Sequence, residues 1–398
     1  MSGPETFEEI DWDVVGSRRT TWGRRRIGLL AVLATLAALF VYDVLVATPR
    51  PTVSVDVAGP LVGVFGDRAV WDVTQLDWLF MLTLVALAFY VVVPMYDNPR
   101  LTRHYWREFR RNRLAVASLG FLVGIFVVGM VGPLVLPRPE LDLLAQYQPP
   151  VYTTVDASVP IQCTGEVVDG RCRGTWAYPL GTTADGKDLL VLVVLGMQVS
   201  MKIGLISALL VVTIGTAVGT LAAYRGGLVD EVLMRYVDIQ LVFPAFFLYL
   251  LLIYLFGGSL FLFILVFGLT SWGGVARLVR SEALQRNEEP YVLAARGAGA
   301  NTRYVIRRHL VPNVSSTVIT AATLLIPGFI LFEAALSFLT LGDPSVPSWG
   351  QVIANGRSDL ATAWWISTLP GFFLFFTILA FNFVGDALRD ALDPRSEH

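Results

Sequence analysis

Eight stretches of this chain stay apolar for about the thickness of a lipid bilayer, and that property constrains the fold more than any other. They run near residues 27–46, 78–96, 114–136, 203–224, 236–256, 259–275, 318–341 and 364–384. A helix rises ~1.5 Å per residue, so about 20 apolar residues cross the ~30 Å hydrocarbon core. Inside lipid every backbone N–H and C=O must be bonded within the spanning structure. Unbroken apolar runs without period-two alternation achieve this as helices rather than as barrel strands. The expected fold is all-α, a polytopic membrane protein. Composition agrees, with 55% hydrophobic and 16% charged residues and a mean hydropathy of +0.61. The first run is long for a secretory signal and no small-residue cleavage pattern follows it, so it is expected to remain as a helix.

Arginine placement orients the helices. With the N-terminus in the cytoplasm, segments 1–26, 97–113, 225–235, 277–313 and 389–398 hold 22 of the 30 Lys and Arg residues. Cytoplasmic loops carry such an excess, which puts both termini on the cytoplasmic side of the cell membrane. The basic stretch DNPRLTRHYWREFRRNR at 97–113 also marks a boundary. Residues 1–100 are expected to form an extension with two transmembrane helices, and 101–398 a membrane domain with six. A juxtamembrane basic segment of this kind sits against anionic membrane lipid. Only Lys187 and Lys202 stand against 28 arginines, the usage of a GC-rich or halophilic source, and a net charge of −2 gives no reason to expect a nucleic-acid partner.

The residues that could do chemistry are few. His104, His309 and His398 are the only histidines, and nothing with metal-ligand spacing accompanies Cys163 and Cys172, so no metal, cofactor or catalytic triad is expected. Both cysteines fall in the long outer loop, 137–187. That location permits a disulfide between them, with two unpaired thiols as the alternative. Gly181, four residues, Gly186 and Lys187 resemble a phosphate-binding loop, but Asp188 stands where a Ser or Thr hydroxyl would reach Mg²⁺. Glu333 is an acid well inside a late apolar run, where an unpaired charge costs roughly 2.5–3.5 kcal/mol. It reads either as a contact on the solute pathway or as polar packing. Asp238 reads as a solvated helix end, and the pairs Gly120/Gly124 and Gly215/Gly219 as sites of close helix packing.

The most patterned polar segment lies between the sixth and seventh runs: EALQRNEEPYVLAARGAGANTRYVIRRHLVPN, residues 282–313. Pro290 suits the first turn of a helix and Gly299 its left-handed C-terminal cap. Asn301 or Thr302 then caps a second short helix ending before Pro312. Val292, Ala295 and Ala298 share one side, with arginines interleaved. Two short helices meeting at a glycine make a projection able to dock into a partner's groove.

This segment resembles the EAA loop of ATP-binding-cassette importer permeases: Glu-Ala-Ala, three residues, Gly, nine residues, Ile-x-Leu-Pro. Ala294, Ala295, Gly299 and Pro312 keep the spacing; Leu293 stands for the Glu and Val311 for the Leu. Further stretches are similar to the dipeptide, oligopeptide and nickel branch, in its C-type subunit: YPLGTTADGKD at 178–188, YRGGLVDEVLMRYVD at 224–238, SFLTLG at 337–342, PSWG at 347–350, AWW at 363–365 and FNFVGDALRDALDP at 381–394. The resemblance covers about 105–394 and implies a six-helix, MetI-like permease core with two extra N-terminal helices. It also implies a subunit that is not an enzyme. Such a subunit pairs with a second homologous permease, contacts two cytoplasmic ABC ATPase subunits and receives solute from an extracytoplasmic solute-binding protein. On that reading the coupling contact falls to Tyr291, Ala294, Ala295, Arg296, Gly299, Arg308, His309 and Pro312. Peptides are the default solute, with nickel chelates and sugars as alternatives. A secondary transporter would show broken helices and buried charge in two related halves, and no such symmetry is visible.

Overall fold

Where lipid removes water as a hydrogen-bond partner, helix formation becomes the dominant backbone solution, and it takes over the sequence. The computed structural model describes residues 24–43, 45, 53–56, 68–71, 73–137 and 139–392. The end of the first apolar run and both chain termini lie outside these. Helix α1 (Arg24–Tyr42) is followed by an antiparallel pair, β1 (Val53–Asp56) and β2 (Arg68–Trp71). Helix α2 (Gln75–Asp97) opens on a capping box, in which Thr74 and Asp77 each satisfy the other's backbone N–H. Then come α3 (Pro99–Phe109) and α4 (Arg113–Val135), the latter capped by Asn112. The loop after α4 carries a small sheet of β3 (Thr154–Asp156), β4 (Val167–Val168) and β5 (Arg171–Arg173) in the order β3-β5-β4. In it the Sγ atoms of Cys163 and Cys172 are 1.99 Å apart, a bonded distance.

The rest is helical: α5 (Leu189–Arg225), α6 (Gly227–Val242), α7 (Ala245–Phe256), α8 (Leu260–Thr270) and α9 (Gly273–Asn287). After them follow α10 (Pro290–Gly297), a short irregular helix α11 at 302–313, α12 (Ser315–Phe338), α13 (Trp349–Gly356) and α14 (Trp365–Leu392). Among the described residues, six helices are long and apolar enough to cross a membrane, with α8 and α9 counted as one. A further bent pair, α6 and α7, passes the same test jointly, and 27–42 within α1 is a shorter apolar helix.

Three boundaries differ from the hydropathy reading. The fourth run begins not near 203 but at Leu189, giving a 37-residue helix that is ~55 Å long. Lys202 interrupts the apolar window there, and in the fold it is neutralised by Asp77 of α2, Nζ to Oδ1 2.5 Å. The fifth run is broken, with α6 and α7 meeting at 67°. Pro244 lies at the break, where its missing N–H and fixed φ end one helix and start the next. The sixth run continues past residue 275 as α9 to Asn287, so the polar segment after it starts as a helix.

Helix α5 is the axis around which α4, α8, α9 and α12 pack, while α14 packs on α4, α12 and α13. A Cβ at Gly215 would sit 2.8 Å from Val275, and one at Gly219 2.5 Å from the Ala276 carbonyl, so these two positions bring α9 against α5 as their spacing suggests. Gly120 and Gly124 do not act in this way, because nothing lies within 4 Å of a Cβ built on either. The close approach of α4 occurs one turn further on, at Gly129 and Gly132 against Met197 and Val194. Within the extension Trp78 Nε1 donates to Asp43 at 2.9 Å, and the extension is tied to the remaining helices by Phe80 packing on Phe126 and by Asp77 pairing with Lys202.

Candidate functional site at the helix-glycine-helix loop

Helix α10 starts with Pro290 at its first positions, after Glu289 as N-cap. Its last residue is Gly297 and its C-cap Ala298, and Gly299 follows with φ +82°. The N–H of Ala300 donates to the Ala295 carbonyl at 3.0 Å and that of Gly299 to the Arg296 carbonyl at 2.9 Å. These are the two bonds of a Schellman motif, which requires the left-handed residue that glycine supplies without a Cβ penalty. Asn301 is the cap of α11, its Oδ1 accepting from the Tyr304 N–H at 2.9 Å. The helix-glycine-helix geometry is thus encoded by three local signals: Pro290, Gly299 and Asn301.

The second helix does not stop before Pro312. It passes from an α turn (Thr302–Val305) through a π turn (Ile306–Leu310) into Val311–Asn313. In the π turn the Val311 N–H reaches back to the Ile306 carbonyl. The wider turn relieves the clash a proline ring makes with the carbonyl four residues earlier, so the helix accommodates Pro312.

Burial assigns the faces. Val292, Val305, Leu310 and Val314 are fully buried and fix both helices to the ends of α5 and α9. This corrects the face expected from the sequence: Val292 anchors the loop and is not offered to a partner, and Ala295 is half-buried. The exposed surface carries Tyr291, Leu293, Ala294 and Tyr304 together with Arg303, Arg307 and Arg308. The His309 ring lies 5.8 Å from those of both Tyr291 and Tyr304, which gathers three separated residues into one aromatic cluster. Leu293, where the family pattern has Glu, is 53% exposed.

Arg296 turns inward. Its Cζ sits 4.5 Å from the centroid of the Tyr224 ring at the end of α5, and its guanidinium donates to Asn287 at the end of α9. Asn287 in turn donates to the Ala223 carbonyl at 3.3 Å. Arg296 therefore braces α10 against two helix ends, a role the expected docking charge did not include. Helix α9 is ion-paired with α6 through Arg277–Asp238 and Arg280–Asp230. Asp238 is thus a partner for α9, near the end of α6 that precedes Pro244. The i, i+4 spacing of Val292 and Arg296 puts the two on one face of α10, but it does not say which helices that face meets.

Other singled-out residues lie elsewhere in the fold. Glu333 is buried in α12, its Oε1 accepting from the Ser337 hydroxyl at 2.6 Å, with Ser348 as a further polar neighbour. The phosphate-loop look-alike is a tight turn. Gly181 has φ +80°, and a Cβ on it would lie 2.8 Å from Trp365 Nε1. Trp365 Nε1 donates to the Thr182 carbonyl at 3.0 Å, and Trp349 Nε1 to that of Val193 at 3.0 Å. Asp188 caps α5, accepting from the Leu190 N–H at 2.8 Å, while burial pushes its carboxyl above the usual carboxylate range. Beside this turn is a cleft of about 520 Å³, whose polar lining includes Asp185, Lys187, Gln351, Asn355 and Asp359.

Residues 215–398 match the family model of the binding-protein-dependent transport system inner membrane component, and residues 100–150 that of the N-terminal TM domain of oligopeptide transport permease C. The oligopeptide transport system permease protein OppC of Haemophilus influenzae is 37% identical over 290 residues, 73% of this chain and 87% of that protein. This chain belongs to the binding-protein-dependent transport permease family. The permease is also 37% identical over 298 residues to OppC of Escherichia coli K12, covering 74% of this chain and 92% of that one. Against the dipeptide transport system permease protein DppC of Bacillus subtilis it is 33% identical over 298 residues, covering 74% and 86%. A solved structure of the MetNI methionine ABC transporter, inward facing, overlays on 52% of the chain with TM-score 0.43 and 18% identity. The permease is accordingly a membrane-embedded subunit of an ATP-binding-cassette importer, and ATP hydrolysis belongs to a separate subunit.

Proposed function

We propose that the permease forms half of a translocation pathway for peptides, and that residues 290–313 receive the force of two cytoplasmic ATPase subunits. The observation that carries the coupling role is the loop's build. Two short helices are held rigidly by a left-handed Gly299 and four fully buried side chains, with aromatic and arginine side chains turned outward. A partner closing on Tyr291, Leu293 and Tyr304 would transmit through Arg296 to α5 and α9, and through the two arginine–aspartate pairs to α6. Peptides are proposed as solute because relatives at this identity are named for oligopeptide and dipeptide transport. A second homologous permease completes the pathway and an extracytoplasmic binding protein delivers the solute. Both termini are cytoplasmic, in keeping with where the arginines fall. Residues 1–100 are an extension to the transport domain at 101–398, Glu333 is a polar packing residue, and Cys163 and Cys172 form a structural disulfide.

Proteoliposomes holding the permease, its sister subunit and the ATPases test this directly. They should accumulate labelled peptide only with ATP inside the cytoplasmic-facing compartment and binding protein outside. Absence of peptide uptake alongside uptake of a nickel chelate or sugar would overturn the solute assignment. Single cysteines at Ser158 and Ser345 should react with an impermeant thiol reagent from outside and one at Ser396 should not; the opposite pattern would overturn the orientation.

A further inference from the structure

Helix α3 is short, strongly basic and tied to the membrane at both ends. It is joined to α2 at Asn98 and to α4 through Arg110–Asn112, so its ends are fixed to two bilayer-spanning helices. Whichever way the permease is oriented, α3 therefore lies at a membrane surface, at the depth of the headgroups. Phe109 is buried, holding α3 against α14, and this sets which side of the helix is left open.

On that open side Arg103, Trp106, Arg107, Arg110 and Arg111 line a groove of about 470 Å³. The i, i+3, i+4 spacing puts Arg103, Trp106 and Arg107 on one stripe of α3, and the turn that follows the helix brings Arg110 and Arg111 to the same groove. Glu108 pairs with Arg111. Arg103, Arg107 and Arg110 have no carboxylate within ion-pair distance among the described residues, and Asp386 and Asp390 on the neighbouring α14 do not reach them. Trp106 stacks on Phe109 at 5.8 Å and is 45% exposed, an amphipathic ring at a lipid–water boundary. Three unneutralised guanidinium groups this close repel one another, and a planar guanidinium fits a phosphate through two parallel N–H donors.

We propose that this groove binds the phosphodiester headgroup of an anionic phospholipid. A basic stripe on a soluble helix would be a solvated face. Here both ends of the helix are held in the headgroup plane, where anionic phosphates are the abundant counter-charge and the aromatic ring has acyl chain to rest on. The bound lipid would fix α3, and with it the junction between the N-terminal extension and the transport domain.

Native mass spectrometry of the delipidated full-length permease, titrated with phosphatidylglycerol or phosphatidylcholine of equal chain length, tests this. Phosphatidylglycerol should form a discrete one-to-one adduct and phosphatidylcholine should not. The triple variant R103Q/R107Q/R110Q should lose affinity on the order of 100-fold, each basic residue at an anionic surface being worth about fivefold. Arg111→Gln, whose guanidinium is already neutralised, should lose less. If the triple variant does not fold, Arg107→Gln alone and the lipid comparison on the wild type decide. Equal binding of both lipids, or an undiminished adduct in a folded variant, would overturn the proposal. So would displacement by millimolar inorganic phosphate, which would make the groove a site for free anion. Glu5, Glu8, Glu9, Asp11 and Asp13 offer the chain's own alternative occupant. If the lipid binds only after those five are changed to their amides in the full chain, the groove belongs to that segment and the lipid assignment fails.

Discussion

Two buried acids are accommodated in different ways inside this membrane protein. Asp77 and Lys202 neutralise one another across α2 and α5, with side chains only 11% and 12% exposed. Removing one partner leaves the other charge uncompensated, which costs about 3–5 kcal/mol, whereas removing both is often close to neutral. Asp77→Asn and Lys202→Met should therefore each lower the unfolding midpoint in detergent, and the double variant should recover most of the loss. If the two losses simply add, the pair does not clip the extension to the core. Glu333 instead leans on Ser337 of its own helix. Glu333→Gln keeps a group able to bond that hydroxyl, while Glu333→Leu strands it at about 1–3 kcal/mol. Gln should thus retain stability and transport better than Leu; indistinguishable variants would mean that the carboxylate faces no partner that matters.

At the scale of elements, much of the loop was legible because its signals are local. Pro290, Gly299 and Asn301 each act on the backbone within a few residues, and the structure uses all three as their chemistry suggests. What was not legible depended on distant partners. The start of α5 was hidden because Lys202 interrupts an apolar window, and its neutralising acid lies in another helix. The inward turn of Arg296 depends on Tyr224 and Asn287, which no spacing rule connects to it. The same brace makes a prediction. Arg296→Ala and Tyr224→Ala should each weaken the coupling of ATPase activity to solute, and the double variant should be no worse than the poorer single one, because both remove one cation–π contact of about 0.5–2 kcal/mol. Independent, additive losses would show that Arg296 contacts the partner subunit instead.

At the scale of the whole molecule, the all-α architecture follows from how lipid treats the backbone and could be read from apolar runs. The count could not, because among the described residues six helices long and apolar enough to cross a membrane, one bent pair and one shorter apolar helix stand where eight runs were expected. Packing could be read only in part. Gly215 and Gly219 serve as close-approach points while Gly120 and Gly124 face open space, though the two pairs have identical spacing. The break at Pro244 puts a joint between α6 and α7. Because α6 is ion-paired to α9, and α9 leads into the loop, displacement at α10 has a continuous covalent and electrostatic route to that joint.

The central claim is that the loop's rigid geometry, set at Gly299, carries the coupling. A Cβ at Gly299 meets nothing within 4 Å, so a substitution there acts through backbone strain and not through a clash. Holding a β-branched residue at φ +82° costs about 1–2 kcal/mol, whereas asparagine tolerates the left-handed region. The deciding measurement is solute-stimulated ATPase activity of the complete transporter in proteoliposomes, made with wild-type, Gly299→Asn or Gly299→Val permease at equal assembly with the sister subunit. Asn should stay close to wild type and Val should fall about tenfold, the shift that strain of this size implies. Stimulation by the Val variant at the wild-type level would contradict the account.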